Sequence, residues 1–356
     1  MLLPLLVLLP AWALGPFVRP QGVNPVVSPR PDTTFRDPMS GGPVAWEGSD
    51  TFNPGAVVHR GRIALLYRAE DHLAEGIGRR TSRMGLAESR DGLHFTFRKE
   101  PVLFPAEDGQ KEAEWPGGCE DPRVVVREDG TYEVFYTQWN RKRAQLAVAT
   151  SRDVVHWTKY GSVFRASTYH PDFFKSAAPI TQVVKGRLTM ARLGGRYWMY
   201  WGEDGVHAAT SVDGVDWRPL MNDDDGTPRV LFAPRPGHFD SLLTECGPPA
   251  VLTERGIVLM YNGRNAPGAA GDPNYPTEAY CAGQALFAAD DPTRLVDRLD
   301  VPFFRPEAPF ERTGQYVQGT VFTEGLAWFK DRWFLYFGAA DSRVGVAVWS
   351  PKAVSS

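Results

Sequence analysis

The sequence is poor in cysteine: Cys119, Cys246 and Cys281 are the three in 356 residues. Their spacing fits neither a zinc site nor a framework of several disulfides, so we expect free, buried thiols. The pair His170 and Asp172 has no third ligand at a suitable spacing, so we predict neither a metal nor a cofactor. The formal net charge of −3 gives no electrostatic reason to expect nucleic acid as a partner.

Long apolar runs are also scarce, and the longest, MLLPLLVLLPAWAL, covers residues 1–14. It is too short to span a membrane, and Pro4 and Pro10 disfavour a spanning helix. The stretch Ala11-Trp12-Ala13 fits the small-x-small pattern of a signal-peptide cleavage site. We interpret 1–14 as a signal peptide and expect a secreted or periplasmic protein. No Lys or Arg precedes the apolar run, so a mis-assigned start or an N-terminal tail, on a cytoplasmic protein, is the alternative.

The rest of the chain divides into two parts. Residues 15–50 are rich in Pro, Gly and Arg without a sustained period, which predicts a lead-in segment on the surface. Residues 51–356 repeat one pattern, an apolar strand, a short turn and a second strand with a central Tyr. The five tyrosines of this pattern are Tyr67, Tyr136, Tyr200, Tyr261 and Tyr336.

These tyrosines are 69, 64, 61 and 75 residues apart, and each repeat has room for about four short strands. No helical period is long enough to compete. The sequence therefore predicts an all-β protein whose residues 51–356 form a five-bladed β-propeller.

A propeller brings the inner strand ends of all blades to one central cavity, so polar residues that recur there become neighbours. One acid lies near such an end in each repeat, and the five are Asp71, Asp121, Glu203, Glu245 and Asp341. Each acid alone could belong to a turn or a structural salt bridge. The recurrence of all five favours a functional cavity.

Several motifs carry a resemblance to a known family. They are Asn53-Pro54-Gly55-Ala56, Tyr67-Arg68-Ala69-Glu70-Asp71, Ser82-Arg83-Met84-Gly85, Gly118-Cys119-Glu120-Asp121-Pro122-Arg123, Gly247-Pro248-Pro249 and Gly338-Ala339-Ala340-Asp341. From about residue 50 to the C-terminus the chain resembles glycoside hydrolase family 130. The resemblance implies a five-bladed propeller that acts on β-mannosides with inversion, either as a phosphorylase or as a hydrolase.

The resemblance also implies roles for individual residues. Asp121 matches the family's proton donor, which acts through a hydroxyl of the bound mannose. Arg83 is expected to contact hydroxyls or to support neighbouring acids, as is Arg68. The positions that resemble the family's mannose-holding residues are Asn53, Arg68, Asp71 and Asp341.

One difference separates this chain from the phosphorylases. Lys175 matches their phosphate-binding lysine, but Glu203 follows the strand on which they carry a His-Arg pair. A carboxylate there repels phosphate. Together with Glu245 before Gly247-Pro248-Pro249, this resembles the hydrolase branch, typified by β-1,2-mannosidases. Inverting hydrolysis needs a base about 6.5–9.5 Å from the acid, and both Glu203 and Glu245 are candidates.

The sequence thus predicts an inverting β-mannosidase, of β-1,2 linkages, whose partner is a mannose-containing oligosaccharide. The insertion 272–280 carries Tyr275 and Tyr280, which could stack on the leaving sugar. A mannoside phosphorylase of the same fold is the first alternative. A sugar-binding propeller without catalysis is the second. Nothing in the sequence indicates an oligomeric state.

Overall fold

The computed structural model describes residues 9–351, and within them the chain is almost entirely β-structure. The helical elements there are one helical turn, α1 (Lys111–Glu114), and two 3-10 turns, Gly268–Ala270 and Pro309–Arg312. The predicted all-β class is confirmed. Within this range, no helix has the length and apolar character needed to cross a membrane.

The first strands form a small hairpin and two antiparallel units. The hairpin pairs β1 (Phe35–Arg36) with β2 (Pro43–Val44). Unit one comprises β3 (Asp50–His59), β4 (Arg62–Glu70), β5 (Ser82–Ser89) and β6 (Thr96–Phe97). Unit two comprises β7 (Gly118–Val126), β8 (Tyr132–Trp139), β9 (Ala144–Ser151) and β10 (Thr158–Ser162). The short β11 (Phe173–Phe174) pairs with β9.

Three further units follow. Unit three comprises β12 (Ala177–Val184), β13 (Arg187–Met190), β14 (Arg192–Leu193), β15 (Arg196–Trp201), β16 (His207–Ser211) and β17 (Trp217–Pro219). Unit four comprises β18 (Leu243–Cys246), β19 (Ala250–Thr253), β20 (Gly256–Arg264), β21 (Tyr280–Phe287) and β22 (Leu295–Arg298). Unit five comprises β23 (Val321–Phe329), β24 (Arg332–Ala339) and β25 (Arg343–Trp349).

The hydrophobic core is divided among the five interfaces between neighbouring units. One apolar cluster lies at each interface, including the one between units five and one. An aromatic pair marks each interface; in order from units one and two they are His59–Tyr132, Phe135–Trp217, Tyr200–Phe287, Phe304–Phe337 and Phe95–Tyr336. Each unit therefore packs against the next, and the last packs against the first.

The first strands of the units meet closely where these interfaces converge. A Cβ on Gly55 of β3 would lie 2.5 Å from the carbonyl oxygen of Pro122 in β7. A Cβ on Gly325 of β23 would lie 2.7 Å from the carbonyl oxygen of Pro54. These glycines are needed because any side chain would push the inner strands apart.

The repeated tyrosines have one structural role. All five are fully buried, and each hydroxyl donates a hydrogen bond within its interface. The acceptors of Tyr67, Tyr136, Tyr200, Tyr261 and Tyr336 are Glu47, Glu114, Pro292 O, Asp240 and Gly92 O, at 2.7–2.9 Å. The repeat read in the sequence is thus a repeat of buried, satisfied hydroxyls.

The lead-in runs along the outside of units one and five, and some of its side chains are buried. Trp46 is fully buried, and Val18 and Val27 form bridges to β25, so the segment adds an outer edge to unit five. Residues 1–8 of the predicted signal peptide lie outside the described residues. Leu14 is buried, and its backbone N–H donates to Gln284 (2.9 Å).

The three cysteines are buried free thiols, as predicted.

Candidate active site

Irregular backbone at the inner strand ends turns polar side chains towards the centre. Asn53, Asp121 and Asp341 have left-handed φ values of 44°, 52° and 49°. The first two lie in β-bulges, where an extra residue interrupts the pairing of the first strand with the second. Strained backbone of this kind concentrates at functional sites, and bulges redirect side chains.

These side chains line a central cavity of about 310 Å³. Seven of the nine residues predicted for the site lie in its wall: Asn53, Arg68, Asp121, Lys175, Glu203, Glu245 and Asp341. They come from all five units although they span 289 positions of the chain (341 − 53 + 1).

Two predicted site residues lie elsewhere. Asp71 and Arg83 are not part of the described cavity wall, and their side chains form a buried ion pair (2.7 Å) that Asp37 extends (2.8 Å to Arg83). Side chains alternate along a strand, so Arg68 and Asp71, three positions apart, face opposite sides. Arg83 thus supports neighbouring acids, one of the two roles expected of it, and the contact of Asp71 with the sugar stays a prediction.

Arg68 is the centre of one charged cluster in the cavity wall. Its guanidinium contacts Asp121 (3.0 Å), Glu120 (2.8 Å) and Glu70 (2.7 Å). Asp121 also accepts a hydrogen bond from the Asn53 side-chain amide (2.9 Å). Three carboxyl groups thus share one guanidinium, an arrangement in which not all three can be ionised without cost.

The pKa values divide these carboxyl groups. Burial acts to raise the pKa of Asp121, but the charges of Arg68 and Lys175 outweigh it and lower that pKa to about 2. Burial raises the pKa of Glu120 to about 7, against the opposing effect of Arg68. Burial likewise raises the pKa of Asp341 to about 7. Near neutral pH Asp121 is therefore ionised, whereas Glu120 and Asp341 are each partly protonated.

Lys175 is the centre of a second charged cluster in the cavity wall. Its ammonium lies 3.2 Å from Glu203 and 3.7 Å from Glu245, and Ser176 donates a hydrogen bond to Glu245. Burial acts to lower the pKa of Lys175, but Glu245 and Glu203 hold it well above its usual range. Burial raises the pKa of Glu245. Lys175 is consequently a charged lysine already engaged by two carboxylates.

The charge of the cavity wall is negative as a whole. Within residues 9–351 the wall carries six carboxyl groups, Glu70, Glu120, Asp121, Glu203, Glu245 and Asp341, and two cations, Arg68 and Lys175. Each cation touches at least two of the carboxyl groups. No group of three or more His, Cys, Asp or Glu side chains in this range is arranged to hold a metal.

Aromatic and apolar side chains form the outer part of the wall. Phe173 and Ile77 line it while 62% and 58% exposed, and Trp139 is held by a hydrogen bond to Gly78 O (3.0 Å). Tyr280 lies in the wall, as expected of a residue that stacks on a sugar. Tyr275 instead packs near Phe239 (centroids 6.5 Å apart), outside the described cavity wall.

Sequence reasoning missed Glu120 and Glu70. Both signals were present: Glu70 has the same parity as Arg68 in β4, and Glu120 precedes Asp121 in the motif already singled out. In a regular strand, adjacent residues face opposite sides. The bulge at Asp121 allows both Glu120 and Asp121 to reach the cavity. The position of a bulge cannot be predicted from the alternation of residues in the sequence.

The family model described as β-1,4-mannooligosaccharide phosphorylase, Glyco_hydro_130, matches residues 24–355. The chain belongs to glycoside hydrolase family 130. The family match supports an enzyme that acts on β-mannosides.

Curated relatives in this family carry phosphorylase names. A 1,2-β-oligomannan phosphorylase from Thermoanaerobacter sp. is 29% identical over 313 residues, 87% of this chain and 93% of the relative. A β-1,2-mannobiose phosphorylase from Listeria innocua is 27% identical over 73% of this chain and 64% of the relative. These names support the phosphorylase alternative better than they support hydrolysis.

Solved structures of higher identity also match. One is 55% identical, covers 97% of each chain with a TM-score of 0.95, and is described by the statement that the GH130 family of mannoside phosphorylases contains glycoside hydrolases that target β-1,2 mannosidic linkages in Candida mannan. A glycosyl hydrolase from Bacteroides ovatus is 54% identical, with a TM-score of 0.94 over 97% of this chain and 96% of that one.

Proposed function

We propose that this protein hydrolyses β-mannosidic bonds, of the β-1,2 type, with inversion at the anomeric carbon. We also infer that its five units are the blades of a five-bladed propeller around the cavity. The five packed interfaces support the propeller. The description of the 55%-identical structure supports the linkage.

The observation that carries hydrolysis is the position of Lys175 between Glu203 and Glu245. A phosphate dianion needs cations that are free to meet it. Here the lysine expected to bind phosphate is neutralised, and two carboxylates face the same space. Like charges a few ångströms apart repel by several kcal/mol at low effective dielectric, on the order of 4 kcal/mol at 4 Å. A neutral water molecule carries no such penalty.

The Arg68 cluster and the Lys175 cluster then have complementary roles. Asp121 is the proposed acid that acts through a mannose hydroxyl. Because Asp121 is ionised near neutral pH, it must take up a proton before it can donate one, and Glu120, whose pKa is raised to about 7, shares the Arg68 cluster with it. Glu203 and Glu245 orient and deprotonate the attacking water. Glu203, with a 28% exposed side chain, can exchange the proton with solvent more readily than Glu245 at 2%. Asn53, Arg68 and Asp341 hold the mannosyl ring.

Phosphorolysis is the second candidate, because the curated relatives named above are phosphorylases. It would require phosphate to displace Glu203 or Glu245 from Lys175. The two reactions share the acid and the sugar site, so they differ in the nucleophile alone.

The test is to incubate the purified protein with β-1,2-mannobiose, with and without inorganic phosphate, and to separate the products by chromatography. Hydrolysis gives free mannose at the same rate in both samples. Mannose 1-phosphate formed with phosphate alone would establish phosphorolysis. Binding of mannobiose without any product would favour a sugar-binding protein.

A further inference from the structure

A buried ion pair lies directly behind the cavity. Glu324 of β23 is fully buried, and its carboxylate lies 2.9 Å from the Arg123 guanidinium of β7. Glu324 sits in a β-bulge between Thr323 and Gly325. It therefore has in unit five the kind of bulged first-strand position that Asp121 has in unit two. Unlike Asp121, it is not part of the described cavity wall.

Arg123 connects the backbone at Asp121 with the backbone next to Glu245. Its guanidinium donates hydrogen bonds to the carbonyl oxygen of Asp121 (3.1 Å) and to that of Cys246 (2.8 Å). Cys246 directly follows Glu245, whose carboxylate lies 3.9 Å from the same guanidinium. One rigid side chain thus spans the backbone at the acid and the backbone at the water-side glutamate.

We propose that Glu324 is a positioning residue: it fixes the orientation of Arg123, and through Arg123 it sets the separation between Asp121 and Glu245. This rests on the proposed function, since it assigns the two carboxyl groups to one reaction. Inverting chemistry is sensitive to that separation, because the nucleophile and the acid must flank the same bond.

Stability alone does not account for this pair. Burying two charges is unfavourable, and a buried pair often stabilises less than well-packed apolar side chains. Burial raises the pKa of Glu324 well above its usual range, although Arg123 opposes it. Within residues 9–351, neither Glu324 oxygen has a hydrogen-bond partner of good geometry beyond this charge contact. The unfavourable burial of Glu324 beside two reacting carboxyl groups is better explained by the geometry that Glu324 enforces.

The chain provides a matched control. Glu133 of β8 is also fully buried, pairs with one arginine (Arg127, 3.1 Å) and has both oxygens without a well-placed hydrogen bond. Its pKa is also raised well above the usual range, first by burial. It lies outside the described cavity wall. Glu133 is therefore buried as unfavourably as Glu324 but has no connection to the site.

The experiment compares Glu324→Ala and Glu324→Gln with Glu133→Ala and Glu133→Gln in the full chain. We measure kcat, KM and the melting temperature. Glu324→Ala should lower kcat roughly tenfold to 100-fold with little change in KM, because displaced catalytic groups affect the transition state more than binding. Glu324→Gln, which keeps an oxygen for Arg123, should recover part of the loss. The Glu133 variants should lose similar stability and retain kcat.

Equal kcat losses in the Glu324 and Glu133 variants would overturn the proposal. So would a crystal structure of Glu324→Ala in which Asp121 and Glu245 superpose on the unaltered protein. The kinetic comparison uses whichever reaction the unaltered protein catalyses. If that reaction is phosphorolysis, the proposed hydrolysis fails while the positioning role is still decided, and if no reaction occurs the crystal structure decides it.

Discussion

The interfaces between units and the cavity wall both contain buried carboxyl groups, but the surroundings of these groups differ. At the interfaces, Glu47, Glu114 and Asp240 each accept a hydrogen bond from a tyrosine hydroxyl, and each also contacts a cation. The cations, Arg30, Lys159 and Arg298, lie 2.5 Å from their carboxylates. In the cavity wall there are six carboxyl groups and two cations; three of the carboxyl groups contact Arg68 and two contact Lys175.

This comparison separates stabilising charge from functional charge. An acid with its own cation and a hydroxyl donor has part of its desolvation offset locally, although burial still raises the pKa values of Glu47 and Glu114. Acids that share a cation keep a proton or remain poorly compensated, so they are ready to exchange protons or to bind hydroxyl groups. Substitutions in the two regions should therefore have opposite signatures, one in stability and the other in catalysis.

The largest expected effect is on catalysis at Asp121. Asp121→Asn should lower kcat by about 10²–10⁴, the usual contribution of acid catalysis, with a small change in melting temperature. The matched interface variant is Glu114→Gln, which should lower the melting temperature and leave kcat of the folded protein unchanged. Initial rates and thermal unfolding measure both. If Glu114→Gln lowered kcat as much as Asp121→Asn, the distinction between the regions would be wrong.

A slightly smaller effect is expected at the water side. Glu245→Gln should lower kcat roughly 100-fold, because it removes one of two carboxylates that handle water. Glu203→Gln is the companion variant, and comparing the two identifies the base. The base variant alone should regain turnover on a substrate with an activated leaving group when azide supplies the nucleophile. Unchanged kcat in both variants would remove the water-handling role from this pair.

The Arg68 cluster should show a pH dependence of stability. The pKa of Glu120 rises from 4.5 unfolded to about 7 folded. The folded state therefore holds the extra proton between these values, and stability is lost as pH rises from about 4.5 through 7. Glu120→Gln stays neutral, so it should be more stable than the unaltered protein at pH 8, on the order of 3 kcal/mol, and similar at pH 4. Denaturant unfolding at both pH values measures this.

Asp341 has the same direction of shift and contributes to the slope that remains in Glu120→Gln. A Glu120→Gln variant with the same pH slope as the unaltered protein would show that Glu120 is ionised throughout this range.

The smallest effect belongs to an interface tyrosine. Tyr261→Phe removes a hydroxyl that donates to Asp240 (2.7 Å) and accepts from Arg298 (3.0 Å). It should cost about 1 kcal/mol of unfolding free energy, the usual net value of a buried hydrogen bond, while kcat and KM stay the same. A change in kcat without a loss of stability would contradict the assignment of these tyrosines to the scaffold.

Much of the fold could be predicted from the sequence, because each structural unit repeats the same residue type, a buried tyrosine, at the same place. Each buried Tyr needs an apolar strand around it and a partner for its hydroxyl, so Tyr67 and its four counterparts recur at nearly constant spacing. The contacts of the lead-in could not be predicted from the sequence, because its partners lie far along the chain. Trp46 is buried against unit one, and Val27 pairs with Val344, 317 positions away (344 − 27).

The site was partly readable for a related reason. Asn53, Asp121 and Asp341 were found from motifs, but the side that each residue faces depends on strand parity and on bulges. Parity places Asp71 on the face opposite Arg68, which lies three positions before it. Glu120 could not be placed by parity because the bulge breaks the alternation.

The most direct test of the central claim is time-resolved proton NMR of β-1,2-mannobiose with the unaltered protein in phosphate buffer. The account predicts that α-mannose is the first anomer released from the non-reducing side and that no mannose 1-phosphate accumulates. Mannose 1-phosphate as the main product would show that phosphate reaches Lys175 in spite of Glu203 and Glu245. β-Mannose as the first product would contradict inversion.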